Sequence, residues 1–457
     1  PSLAELAADP PSLVENGKPD PAITATRVAG ALRAILTRET RSGAALAGFY
    51  GSRQFQPLFT ADGLLSARGL AAANRMTQAG NDGLDPQAYR VALPEGPRTA
   101  ERIAELELAV ARAVALYASH ASGGRTDARR LSTNFDVAPP RVDTASALSQ
   151  VTAAADMAAA LDGFNPPHEG FRRLRAKLAE IRADNRVAAR EMSDTSATRR
   201  AIGLERDIIA NLERWRWLPR ELGEAHIWVN VPDYDAAIVS DGRVIHRTKT
   251  IVGRHETQTP VFSHSMSYIV FNPAWYVPHS IVRRDMVANA TRDPSYFARR
   301  GIEVVRRGRV VDPATIDWSA TNVGNLGFRQ PPGERNALGR MKFMFPNAHA
   351  IYLHDTPNRS LFSREARAFS NGCIRVFEPE RFAEVVLGLA MPGENWTQAR
   401  IDTLYGPGER TVRFKRNVPI HLVYFTMDVD ASGQLVQHAD IYGHNARVRA
   451  ALIGQRS

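Results

Sequence analysis

The chain has 457 residues, 23% of them charged, and a formal net charge of +10; that is too long for one ordinary hydrophobic core and sets an expectation of two or three domains. No stretch approaches the ~20 uncharged apolar residues of a membrane helix, and the longest apolar runs, such as Glu384–Met391, are short. The arginines are scattered among acids, with no dense Lys/Arg tract, zinc-ligand spacing or aromatic-interleaved RNA signature, so nucleic acid is not an expected partner.

In chain order, the first half reads as helical. Ile103, Leu106, Val110, Val114 and Tyr117 recur at steps of three and four and form one apolar stripe. Gly123-Gly124 stops that helix. Further helices are expected over Ala22–Gly51, Ser66–Ala79, Ala145–Leu161 and His168–Ala189, the last two separated by Asn165-Pro166-Pro167. Asp184–Thr198 is polar and reads as an exposed joint, followed by a helix over Arg199–Trp215. The pattern then changes to short β-branched and aromatic runs bounded by turn formers. These are His226–Val231, Ala236–Val239, Val244–Val252, Tyr268–Asn272, Ala350–His354 and His421–Val429, the last followed by the turn Asp430–Gly433. The expectation is an α+β multidomain chain: a helical N-terminal domain over 1–198 and a β-rich domain over 199–457. The charged segment Ile281–Ser319 interrupts the β pattern as an inserted lid.

The chemistry concentrates between Ile351 and Phe377. The run Ile351–His354 delivers a histidine at a strand end. Asp355-Thr356-Pro357-Asn358 is turn chemistry, and Ser370-Asn371-Gly372-Cys373 is a glycine-containing turn before Ile374-Arg375-Val376. Cys373 is the only cysteine, so no intrachain disulfide forms, which leaves the redox compartment open. A lone cysteine is more often a small buried side chain than a nucleophile. A nucleophile needs a base to draw off its proton and backbone N–H groups aimed at the developing oxyanion. His354, nineteen residues upstream, is placed to be that base; Gly372 lets the backbone approach a substrate closely, and Arg375 adds a cation. A buried Cys373 beside a structural His354 fits the spacing as well. No metal site is expected, since His349 and His354 point to opposite faces of a strand and His264 and His279 lack zinc spacing. Gly324–Gly327 is not a phosphate loop, and no G-x-S-x-G elbow occurs.

These residues resemble the L,D-transpeptidases of the bacterial cell wall with a YkuD-type catalytic domain. The family motif is a histidine, then a loop, then Ser/Thr-His-Gly-Cys, an apolar residue and Arg. His354, Ser370, Gly372, Cys373, Ile374 and Arg375 match it. Asn211–Trp217, Val252–Phe262, Asn272–Pro278, Gly333–Tyr352, Asp440–Gly443 and even Gly80–Tyr89 resemble the large multidomain branch. The chain departs from the pattern at Asn371, where most members have histidine, which leaves His354 as the only base in the motif. It also departs between Leu178 and Asn211, where there are too few residues for the peptidoglycan-binding module common in that branch.

The resemblance implies peptidoglycan tetrapeptide stems as donor and acceptor and a cross-link between third-position diamino acids. It makes Cys373 the nucleophile and His354 the base. Gly372, Asp355 and Tyr352 serve the oxyanion and imidazole orientation, and Arg375, Ser370 and Asn371 face substrate. It implies no cofactor, carbapenem β-lactams as acylating inhibitors, and a periplasmic location, with an anchor or secretion signal outside this chain. Water as acceptor would make the chain an L,D-carboxypeptidase. A protein amine as acceptor would make it an enzyme that attaches envelope proteins to the wall. A wall-binding scaffold with a degenerate site is a fourth reading, against which the retained Cys373 and His354 stand.

Overall fold

The structure, a computed structural model, describes residues 17–39, 43–93, 96–191 and 196–454. Its first part is helical. The longest helix, Ala100–Gly123, buries the stripe of Ile103, Leu106, Val110, Val114 and Tyr117, and Gly124 at φ +89 ends it. Two helices expected to be continuous are broken. Ala22–Gly51 contains Ala25–Arg38 and Ala44–Ser52, separated by extended backbone at Glu39. Ala145–Leu161 divides into Thr144–Ala153 and Met157–Asp162, because Asp156 caps a new start by accepting from Ala159 N. The helical core is pinned by Glu107, fully buried, which accepts from Tyr50 Oη, Leu58 N, Phe59 N and Thr60 Oγ1 at 2.6–2.9 Å.

The polar stretch read as a joint is largely helical. Glu169–Glu191 and Ser196–Trp215 are long helices, and 192–195 lie outside the described residues. Phe171, Leu174 and Leu178 of the first helix and Ile208, Leu212 and Trp215 of the second share one core with Val423, Phe425 and Met427. A boundary at 198 therefore cuts across elements that pack on the β-rich part.

Nine strands of the second part form one sheet: β1 Ala225–Asn230, β2 Asp235–Ser240, β3 Arg243–Gly253, β4 Phe262–Phe271, β5 Met341–Met344, β6 Leu353–His354, β7 Ala368–Ser370, β8 Ile374–Val376 and β9 Arg410–Val423. The order is β7-β3-β8-β6-β5-β4-β9-β1-β2, and β2 also pairs with β3, so the sheet closes on itself. Its core holds Ile227, Ile269, Phe343, Leu353, Ile374 and Ile420 together with Phe382, Val386 and Leu387 of the helix Pro379–Ala390.

Two expected strands are shorter than read. Of Ala350–His354, only Leu353 and His354 are in the ladder. Asn347 builds a turn there instead, its Oδ1 accepting from His349 N and Ile351 N, and Ala350 sits at φ +54. His421–Val429 breaks after Val423 and resumes at Met427, because side-chain amides replace the ladder: Phe425 N donates to Asn230 Oδ1 and Thr426 N to Asn211 Oδ1. The charged insertion is wider than Ile281–Ser319. Strands Trp275–Tyr276, Glu303–Arg306, Arg309–Val311 and Gly327–Gln330 form a separate sheet, and its core runs from Val277 to Phe328, with Trp318 buried in it. High charge marks Ile281–Ser319 in the sequence, but the apolar ends on either side, Val277 and Phe328, belong to the same core.

Candidate active site

Strands β6 and β8 run parallel, with Leu353 opposite Ile374 and His354 opposite Arg375. Side chains alternate along strands. Leu353, Ile374 and Val376 belong to the barrel core, so Tyr352 and His354, and Cys373 and Arg375, project from the other face. Antiparallel β5 places Lys342 opposite His354. The imidazole thus sits in a row between two cations, Lys342 and Arg375. Lys342 was not singled out in the sequence; the alternation Met341-Lys342-Phe343-Met344 is the signal that it leaves the core.

The nucleophile turn is held from inside. Ser370 Oγ donates to Cys373 O at 2.5 Å and accepts from Gly372 N at 3.1 Å. Gly372 has φ +114, a region that L side chains rarely adopt. Two expectations change as a result. Ser370 is buried with its hydroxyl spent in the turn, so it shapes the site and does not face substrate. The Gly372 N–H is already engaged, which leaves the Cys373 N–H to aim at an oxyanion.

Cys373 is half-buried. Its sulfur lies 3.8 Å from Ala350 O, and the backbone and phenolic hydroxyl of Tyr352 both hydrogen-bond it. Burial nevertheless wins and pushes the thiol up to about 11, with Tyr352 and Arg375 opposing. His354 is buried; its Nδ1 donates to Asp355 O at 2.5 Å, and its ring centroid is 5.8 Å from that of Tyr352. Burial, then Arg375, push the imidazole down to about 3 against the carbonyls of Asp355 and Leu338. No direct Cys373–His354 hydrogen bond forms among the described residues; Tyr352 stands at the thiol. The resting pair is therefore a neutral thiol and a neutral imidazole. Asp355 orients the ring through its backbone. Its carboxylate turns away to accept from Arg340 N at 2.8 Å, packed so closely on Gly339 that a Cβ there would lie 2.3 Å from Asp355 Oδ2.

Arg375 carries a different kind of signal. Its Nε is buried without a hydrogen-bond partner, and among the described residues no carboxylate pairs with it. An unmatched guanidinium beside a thiol is costly unless an anion completes it.

Residues 224–403 match the family model of the L,D-transpeptidase catalytic domain, YkuD, and residues 44–178 match that of a scaffold domain. The chain carries a YkuD-family L,D-transpeptidase domain. A Haemophilus influenzae (strain ATCC 51907 / DSM 11121 / KW20 / Rd) protein named "Putative L,D-transpeptidase" is 34% identical over 261 residues, covering 56% of this chain and 51% of the relative. The chain thus matches about half the length of that curated relative. A solved structure titled as the Ldtfm-avibactam carbamoyl enzyme is 10% identical, covers 49% of this chain and 61% of its own, and has a TM-score of 0.20.

In this YkuD domain the position before Gly372 ties the turn to the insertion. Arg284 Nη2 donates to Asn371 Oδ1 at 2.9 Å, and Asn371 Nδ2 donates to Asp285 Oδ2 at 3.2 Å. Arg254 Nη2 holds the same carboxylate at 3.0 Å. The hydrogen bond from Arg284, then Arg254, keep Asp285 below the usual carboxylate range. Arg284 and Asp285 lie in a single π-helical turn, Val282–Met286, a geometry often found at functional sites. Asn371 was expected to face substrate; both ends of its amide are instead occupied by the insertion. Arg254, Arg284 and Asp285 carry no local signal in the sequence, because Arg254 meets Asp285 31 residues on and Arg284 and Asp285 meet Asn371 87 and 86 residues on.

Proposed function

We propose that the chain is a peptidoglycan L,D-transpeptidase that joins third-position diamino acids of two stems through a thioester on Cys373. The observation that carries this reading is the shared face of Cys373, Tyr352, His354 and Arg375 within the residues that match the YkuD family. Cys373 Sγ attacks the carbonyl of the third residue of a tetrapeptide stem as His354 takes the thiol proton. The C–N bond to the terminal D-alanine breaks and the proton passes to the departing amine. The Cys373 N–H and the Tyr352 hydroxyl support the oxyanion. Arg375 meets the negative charge that the site otherwise lacks. A second stem's amine resolves the thioester. A substrate of this kind places the enzyme in the periplasm.

Intact-mass measurement after incubation with a carbapenem tests the nucleophile. One adduct is expected on the wild type and none on Cys373→Ala; an equal adduct on both removes Cys373 from the chemistry. Muropeptide mass spectrometry then reads the acceptor. Cross-linked dimers mean transpeptidation, shortened tripeptides mean carboxypeptidase activity, and protein-bearing muropeptides mean attachment of envelope proteins.

The insertion acts as a cap that excludes water from the thioester, a need of any transferase working in water. Its tie to Asn371 supports that reading. Asp285→Ala removes the shared carboxylate of the tie and is expected to raise the ratio of hydrolysis to transfer several-fold. A ratio equal to the wild type's would leave the insertion without this role.

A further inference from the structure

A cleft of about 400 Å3 opens between the scaffold-side segment at residues 134–136 and the barrel, with Asn134, His255, Glu256, His349, Ile351 and Gly372 among its walls. That volume is within the range of ligand sites. The scaffold-side wall is fixed to the barrel by backbone: Asp136 N donates to Val261 O at 2.9 Å and Val261 N to Asn134 O at 2.7 Å. Asn134 Nδ2 also donates to Gln258 Oε1 at 2.9 Å. The floor reaches the nucleophile. Cys373 Sγ rests on Ala350 O, and the residues on either side of Ala350, His349 and Ile351, line the cleft, as does Gly372 of the nucleophile turn.

The lining is less basic than the chain as a whole. The whole protein carries 58 Lys and Arg against 48 Asp and Glu, yet no lysine or arginine lines this cleft. Glu256 faces it, and Asp136 Oδ2 lies 3.0 Å from His349 Nε2. The second ring nitrogen of His349 has no partner among the described residues, and the ring packs 5.4 Å from that of Phe262. This is an imidazole oriented by a carboxylate at the edge of a cleft that has no lysine or arginine in its lining and reaches Gly372, the residue before the thiol.

A thioester on Cys373 must be resolved by an amine, and an alkylamine with an unperturbed pKa of about 10.4 arrives as an ammonium. We propose that this cleft is the acceptor subsite, and that His349, held by Asp136, takes the proton the acceptor ammonium must shed. The inference rests on the acyl-enzyme reading above and assigns it a second site. The ammonium gives one proton to His349. The free amine attacks the thioester carbonyl; the C–N bond forms and the C–S bond breaks. A second proton leaves the nitrogen for the departing sulfur and restores the thiol, so the amide keeps one hydrogen. His349 then returns its proton to solvent. His354 serves acylation and His349 serves aminolysis, which supplies the second base that Asn371 does not. Asp136 faces His349 from the scaffold side and is itself paired with Arg129 at 3.1 Å; His255 and Glu256 line the same cleft, with Arg254 3.9 Å from Glu256.

The test uses the full chain, a tetrapeptide stem as donor and Nα-acetyl-lysine as the amine probe. His349→Gln is expected to reduce transfer at pH 7 tenfold or more relative to hydrolysis of the same acyl-enzyme, with Asp136→Asn giving a smaller loss in the same direction. Raising the pH toward 10, where the amine arrives deprotonated, is expected to restore transfer in His349→Gln. Such rescue would not follow from a merely structural role. Unchanged transfer in His349→Gln, or loss without high-pH rescue, overturns the proposal. A wild type that never forms the Cys373 adduct overturns the acyl-enzyme reading itself, and this subsite with it.

Discussion

The rate constant for acylation of Cys373 by a carbapenem is expected to be flat from about pH 5 to about pH 9. Burial sets the thiol at about 11 and the imidazole of His354 at about 3. The thiol is protonated below its pKa and the imidazole neutral above its own, so the neutral pair is the populated state across the whole interval. A preformed thiolate–imidazolium pair would instead give a bell whose limbs report two groups titrating near neutrality. In the neutral pair, proton transfer must accompany attack, and the Tyr352 hydrogen bond and Arg375 stabilise the thiolate only as it forms. His354→Gln removes the proton acceptor. It is expected to slow acylation by ~10^2 to 10^4-fold, the usual reach of general base catalysis. The residual rate should then climb tenfold per pH unit toward about 11, because only the free thiolate reacts. Stopped-flow acylation over this pH range reads both effects. A bell-shaped wild-type profile, or a His354→Gln variant as fast as the wild type, defeats the neutral-pair account.

The division of the chain into a helical part and a β-rich part was legible because it rests on local signals. The stripe from Ile103 to Tyr117 buries as its spacing predicts. The turn at Asp430–Gly433 forms with Asp430 Oδ1 accepting from Ser432 N and Gln434 N. Helix breaks at Glu39 and Asp156 do not show in the periodicity, because alanine-rich spacing continues across them while extended backbone at Glu39 and a single capping carboxylate at Asp156 decide the outcome. The end of the strand after Val423 was missed for a related reason. Val423 to Met427 is apolar enough to read as one strand, but Asn211 and Asn230, some two hundred residues earlier, supply the amides that take the backbone out of the ladder.

The site divides along the same line. Cys373, His354 and the glycine turn lie within one short segment, and a motif can carry them. Gly372 and Ser370 were visible as turn chemistry, but which of them uses the other's hydrogen bonds is a matter of three-dimensional closure. Alternation shows that Lys342 leaves the core, but its place beside His354, and the contacts of Arg254, Asp285 and His349, come from strand pairing, the insertion and the scaffold-side segment. Asn371 shows the limit most sharply. As a residue type it marked only a missing base, whereas its place in the fold ties the nucleophile turn to the cap.

Acid is expected to destabilise the fold steeply below about pH 6.5. His354 lies at about 3, and His421 and His444 at about 4, burial being the largest cause in each; all three are buried. In the unfolded chain a histidine titrates near 6.5. Because these folded values are depressed, the unfolded state binds protons first, and stability that is complete above about 6.5 is lost as the pH falls toward the folded values. At pH 5 each group withdraws roughly 2 kcal/mol, and the three together roughly 6 kcal/mol, against a typical total of about 5–15 kcal/mol. Asp235 works the other way. Burial raises it to about 6, so the folded state takes its proton first and regains about 1–2 kcal/mol at pH 5. His444 is the informative position. Both its ring nitrogens are buried without partners, and the ring packs 4.5 Å from Phe135 and 4.7 Å from Tyr424. A phenyl ring, somewhat larger, keeps the aromatic contacts and carries no titrating nitrogens. His444→Phe is therefore expected to be more stable than the wild type by about 1–3 kcal/mol at pH 7, from removal of the unmet polar atoms. The gap should widen by roughly 2 kcal/mol at pH 5, where only the wild type loses stability at this site. Denaturant unfolding at the two pH values measures both quantities. A gap that stays constant between pH 7 and pH 5 would show that His444 does not titrate on unfolding, and the acid sensitivity would then fall to His354 and His421, with His120 and His168, which burial also depresses to about 4.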